Sequence, residues 1–65
     1  MIKSLEVEFE DDIELSVRLR RAKYFAILHN CKIIFWYKGH RFVIDESITT
    51  DEIEKLLKMF KKKYG

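Results

Sequence analysis

Two apolar runs on either side of Lys38-Gly39 restrict the fold of this chain more than any other stretch. Lys32–Tyr37 and His40–Asp45 are rich in β-branched and aromatic residues, and Gly39 supplies the positive φ that a tight hairpin turn requires. A two-residue turn at Lys38-Gly39 sets the register. Tyr37 then faces His40, Trp36 faces Arg41, Phe35 faces Phe42, Ile34 faces Val43 and Ile33 faces Ile44. One face of the ribbon carries Ile33, Phe35, Tyr37, His40, Phe42 and Ile44. The other carries Lys32, Ile34, Trp36, Arg41, Val43 and Asp45. Apolar residues on both faces predict a strand pair covered on both sides near its middle, with thinner cover where Trp36 and Arg41 sit.

Residues 50–63 carry consistent helix signals. Thr49 with Glu52 three positions later makes a capping box, and Ile48 with Ile53 makes the accompanying hydrophobic staple. Ile53, Leu56, Leu57, Phe60 and Tyr64 recur on one stripe with Met59 at its edge. Asp51–Lys55 and Glu54–Lys58 are favourably ordered pairs one turn apart. Acids begin the segment and lysines end it, as the helix dipole prefers.

The first half of the chain reads as strands. Leu5, Val7 and Phe9 alternate with Glu6 and Glu8, while Ile13, Leu15, Val17 and Leu19 alternate with Glu14, Ser16, Arg18 and Arg20. A period of two over such lengths predicts two half-buried strands, about 3–9 and 13–19, joined by a three-residue loop at Glu10-Asp11-Asp12. That loop puts Phe9 opposite Ile13, Val7 opposite Leu15 and Leu5 opposite Val17. Arg20 to Asn30 admits two readings. A short strand over 23–28, turning at His29-Asn30, is favoured. The alternative is a helix with Leu19, Ala22, Phe25 or Ala26, and Leu28 on a stripe and Asn30 as its C-terminal cap. The expected fold is α+β: a small twisted antiparallel sheet or open barrel of four to five strands, followed by one C-terminal helix. In length and element order this outline is similar to the small chromatin proteins of thermoacidophilic archaea and to the single-strand-binding transcriptional coactivators. No specific motif of either family is present, and no binding residue is carried over.

Size limits what such a fold can hold. A chain of 65 residues reads as one domain, and domains of this length bury only about 60% of their unfolded surface. Cys31 is the sole cysteine, so no disulfide forms within the chain, and a lone thiol points to a reducing, intracellular setting. No stretch approaches the roughly 20 apolar residues of a membrane span. Met1-Ile2-Lys3-Ser4 leads straight into alternating acids and lacks the apolar core of a signal peptide. A soluble, cytoplasmic protein is expected. The absence of Gln, with one Asn among many Lys, Glu and Ile, is a pattern reported for hyperthermophiles, although the lack of Pro argues the other way.

Charge is blocked along the chain. Residues 1–16 sum to −5, residues 17–44 to +7 without an acid, residues 45–54 to −5 and residues 55–65 to +5. Within the acid-free block the cations interleave with aromatics, a composition that suits nucleic acid because cations meet phosphates while rings stack on bases. The hairpin register gathers the candidate site: Lys32, Trp36 and Arg41 on one face with Lys38 at the turn, and Arg20, Arg21 and Lys23 as a periphery. This reading requires the acidic residues of the first sixteen to point away from the polyanion. The competing expectation is a protein-interaction or homodimeric module, in which Trp36 and the other surplus aromatics meet a partner or a second copy. His29 and Cys31 lack the spacings of a zinc site, and no metal or other cofactor is expected. With no glycine-rich phosphate loop and no group to orient a Cys31–His29 pair, an enzyme is not expected.

Overall fold

A computed structural model describes residues 3–64, with Tyr64 described by its backbone only. In chain order the elements are β1 (Ser4–Glu6), α1 (Leu15–His29), β2 (Lys32–Tyr37), β3 (His40–Ile44) and α2 (Thr50–Tyr64). They form one mixed sheet in the order β1-β2-β3, with β1 parallel and β3 antiparallel to β2. The expected four to five strands followed by a single helix are therefore corrected to three strands and two helices. Residues 13–19 and 23–28 are not strands, the strand expected over 3–9 shrinks to three residues, and Glu10–Asp12 is no hairpin loop. With the meander gone, the outline shared with the chromatin proteins and coactivators no longer applies.

The correction has a definite cause. The inward stripe of α1 is Leu15, Arg18, Leu19, Ala22 and Ala26, at steps of three, one, three and four. One member is an arginine and two are alanines, so the stripe is weakly apolar. Meanwhile Tyr24, Ile27 and Leu28 face solvent at 63%, 56% and 60% exposure. Apolar residues on both sides of a helix erase the periodicity by which helices are recognised. The start is equally unmarked: Glu14 precedes the first turn without a side-chain cap, and that turn has no acid. The end does carry its signal. Asn30 adopts the left-handed conformation (φ 50°, ψ 48°), and its amide and that of Cys31 both donate to the Ala26 carbonyl.

A parallel β1–β2 pair needs a crossover, and α1 supplies it. Lys32 donates its amide to the Lys3 carbonyl at 3.0 Å, and Val7 donates to Ile34 at 2.9 Å. Beyond Val7 the chain leaves the sheet, and Arg18 takes over. Its guanidinium donates to Ile13 (2.7 Å), Glu10 (2.8 Å), Asp11 (3.4 Å) and Trp36 (3.3 Å), all backbone carbonyls. It also lies over the Tyr37 ring, 4.6 Å from the centroid. Arg18 is 6% exposed, so its charge is taken out of water and answered by these dipoles and the ring.

The hairpin agrees with expectation residue by residue, from Tyr37 opposite His40 to Ile33 opposite Ile44. Lys38 and Gly39 both have positive φ, 49° and 78°, as a two-residue turn of this hand demands. The capping box of α2 also forms, with Glu52 donating its amide to Thr49 Oγ1 and Glu52 Oε1 accepting from the Thr49 amide, each at 3.2 Å. Ile48 and Ile53 are buried around it. Leu56, Leu57 and Phe60 are half-buried as the stripe predicts, and the Tyr64 side chain lies outside the described residues.

Both helices cover the same face of the sheet. Ile33, Phe35 and Ile44 join Leu15, Leu19, Ala22, Ala26, Ile48 and Ile53 in one buried cluster. Phe42 stacks on Phe35 at 5.1 Å, and Phe60 of α2 reaches Tyr37, His40 and Phe42 with ring centroids 5.3–5.9 Å apart. The expected cover on both faces is thus corrected to cover on one. Replacing Arg18 by Met keeps much of the volume but strands part-buried carbonyls, a loss of roughly 1–3 kcal/mol for each group that water does not reach. Urea unfolding of Arg18→Met is expected to show a destabilisation in this range or above. Arg18→Lys is expected to restore little of it, because one ammonium cannot span the carbonyls a guanidinium reaches.

Candidate functional site

The uncovered face of the sheet is built from alternate residues of three strands. Lys32, Ile34 and Trp36 of β2 point to it, as do Arg41 and Val43 of β3, and the parallel register adds Ser4 and Glu6 of β1. Asp45, just past β3, stands across from Lys32. Trp36 is 52% exposed and Val43 46%, while Ile34 is half-buried between them. A row of three apolar side chains thus crosses the face, with charges at both ends.

Those charges are of both signs. Trp36 Nε1 donates to Glu6 Oε1 at 3.1 Å, which tethers the indole by its edge to an acid of the neighbouring strand. Lys32 exerts its charge on Asp45. Arg41 has no hydrogen-bond or ion-pair partner among the described residues. Two acids and two bases therefore surround the apolar row, and the face is close to neutral. A hollow of about 330 Å³ beside Trp36 is lined by Glu6, Glu8 and Asp11, with Arg18 in its wall.

The residues expected to form a site are only partly brought together. Lys32, Trp36 and Arg41 share the open face. Lys38 leans the other way, its Nζ 5.7 Å from the centroid of the Tyr37 ring, which belongs to the covered face. Arg20, Arg21 and Lys23 sit on α1, the helix packed over that covered face, with both arginines exposed and Lys23 half-buried. They do not extend the Trp36 patch. Glu6 is the participant that sequence reasoning missed. Its place beside Trp36 follows from a parallel β1–β2 pairing across 30 positions, and the alternation of residues 5–9 reveals which face Glu6 takes but not which strand lies next to it.

Metal chemistry has no scaffold here: among the described residues no three His, Cys, Asp or Glu gather to hold an ion. Cys31 is a free, half-buried thiol packed against the core. No helix of the described residues is long and apolar enough to cross a membrane.

One carboxyl of the face is tuned. The Ser47 amide donates to Asp45 Oδ1 at 3.0 Å and the Ser47 hydroxyl at 3.2 Å. These bonds, the amide first, hold the Asp45 carboxyl below its ordinary value of 3.8, and the Lys32 charge adds to them. A depressed folded-state pKa stabilises the fold above the ordinary value, and that contribution is lost as pH falls through the lowered one. Asp45→Ala is accordingly expected to melt below the parent protein at neutral pH. The gap should close as pH is taken below 3.8, which thermal melts across the acid range will read.

Comparison of this chain with protein-family models, with curated proteins and with solved structures finds no match to any of them.

Proposed function

We propose that this protein is a non-enzymatic interaction module, and that its open sheet face pairs with the same face of a second copy. The observation that carries this reading is the combination of exposed Trp36 and Val43 flanking a half-buried Ile34 with a balanced set of charges, Glu6 and Asp45 against Lys32 and Arg41. Tryptophan and arginine at the centre of an apolar patch are the residues that carry most binding energy in protein interfaces. A two-fold pairing requires a self-complementary surface, and a patch with acids and bases around an apolar row meets that requirement. Burying such a row also completes the second cover that the apolar residues of β2 and β3 call for.

A nucleic-acid role remains a second reading, supported by the exposure of Trp36 directly across from Arg41. Against it stands the charge. Phosphate binding draws on released counterions and so on net positive charge, whereas this face is balanced and its Trp36 end abuts Glu6, Glu8 and Asp11. On the pairing proposal, sedimentation should detect dimer at high micromolar concentration, and Trp36→Glu should yield monomer without loss of fold. Monomer alone for the parent chain would refute it. The nucleic-acid reading instead expects single-stranded probes to bind at low salt. Trp36→Ala would then weaken binding by about 1–3 kcal/mol and Glu6→Gln would strengthen it. Probes unmoved by excess protein would exclude that alternative.

A further inference from the structure

β3 is the outer strand of the sheet, and a cleft of about 310 Å³ lies between it and α2. Its lining draws on both faces of the strand, Arg41 and Val43 from the open face and Phe42 from the covered one, with Leu56, Met59 and Phe60 across from them. A hollow that touches both faces of an edge strand lies along the edge itself. We propose that this edge receives an extended peptide as a fourth strand, one in which apolar residues alternate with acidic ones.

The backbone supports this first. In a hairpin closed by two residues, the pair flanking the turn exchanges both of its hydrogen bonds, and bonded pairs then recur at every second position. Here they are Tyr37 with His40, Phe35 with Phe42 and Ile33 with Ile44. The far edge of β2 agrees, because the groups that bond away from β3 belong to Lys32, Ile34 and Trp36. On β3 the amides and carbonyls of Arg41 and Val43 therefore point outward, and among the described residues no strand receives them. Pairing such groups with a peptide backbone is the basis of strand addition.

The composition of the peptide follows from what flanks the edge. Side chains of an added strand alternate between the two sides of the sheet. Those on the covered side would descend onto Leu56, Met59 and Phe60, where Met59 is 68% exposed and offers an adaptable apolar contact. Those on the open side would stand beside Arg41, and no acidic residue lines the cleft. Apolar residues suit the first set and carboxylates the second. At about 310 Å³ the cleft is at the small end of ligand pockets, which run from about 300 Å³ upward, a size that fits side chains of a passing strand better than a compact ligand.

This inference does not rest on face-to-face pairing, so its test uses the Trp36→Ser variant, which removes the indole from that pairing without placing a charge beside Arg41. Labelled hexapeptides of alternating valine and glutamate, and of alternating valine and lysine, are titrated against it by fluorescence anisotropy. The acidic peptide should bind with a micromolar Kd and the basic one much more weakly. Met59→Glu, which changes the cleft wall alone, should weaken the acidic peptide by about tenfold or more. Val43→Pro should do the same by deleting one outward amide, a change edge strands tolerate. Amide exchange of Arg41 and Val43 should slow when peptide is bound. Equal binding of the two peptides, or of neither, overturns the proposal. So does a Trp36→Ser protein that still dimerises and is made monomeric by Met59→Glu, since the edge would then belong to a second copy.

Discussion

The guanidinium of Arg18 joins the loop after β1, the first turns of α1 and the end of β2. After Val7 the chain stops following β2, and a connection of seven residues must reach the start of α1. Such a connection carries backbone carbonyls into the interior without a ladder to receive them. Arg18 answers three of them, at Glu10, Asp11 and Ile13, and a fourth at Trp36 where β2 has lost its partner strand. One side chain on the inward stripe of α1 thereby fixes the loop, the helix and the end of the central strand against each other. Phe9 and Tyr37 wrap the charge, and Phe9 meets Phe35 edge to face at 5.3 Å. Four hydrogen bonds from its five N–H donors are what make a buried arginine tolerable.

From that constraint follows the division between the two sides of the sheet. With α1 held over one face, the buried cluster gathers there and α2 joins it through Ile48, Ile53 and Phe60. The opposite face keeps Ile34, Trp36 and Val43 uncovered. The described residues form two helices, and both are committed to one core. Among the described residues, no strand pairs with the outer edge of β3 either. The surfaces with the most to gain from a partner are thus by-products of where the core was placed.

How much of this could be read in advance depended on how local the cause was. The hairpin register and turn, the capping box at Thr49 and Glu52, and the stripe of α2 are set by residues within a few positions of each other, and each was legible. So was the adjacency of Trp36 and Arg41. The helix α1 was not, because its inward stripe contains Arg18 and two alanines while Tyr24, Ile27 and Leu28 face outward. Residues 13–19 alternate like a strand, yet the burial of Leu15, Arg18 and Leu19 follows the helical period. The disfavoured helical reading of residues 20–30 had two local clues, the Leu19, Ala22 and Ala26 spacing and the cap at Asn30, and the cap marks only the end.

The sequence by itself determined the pieces: a Lys38-Gly39 hairpin with a known register, a well-capped terminal helix, and an apolar Trp-bearing face beside cations. Those follow from turn stereochemistry, capping and period, all short-ranged. Tertiary structure alone decided what lies next to that face. The parallel pairing of β1 brought Glu6 to the indole of Trp36, and the crossover sent Arg20, Arg21 and Lys23 to the other layer. A block of +7 in the sequence thereby became a nearly neutral face in space. Charge adjacency across a sheet depends on which strands pair, and the pairing of β1 with β2 joins residues far apart in the sequence, which no local pattern announces.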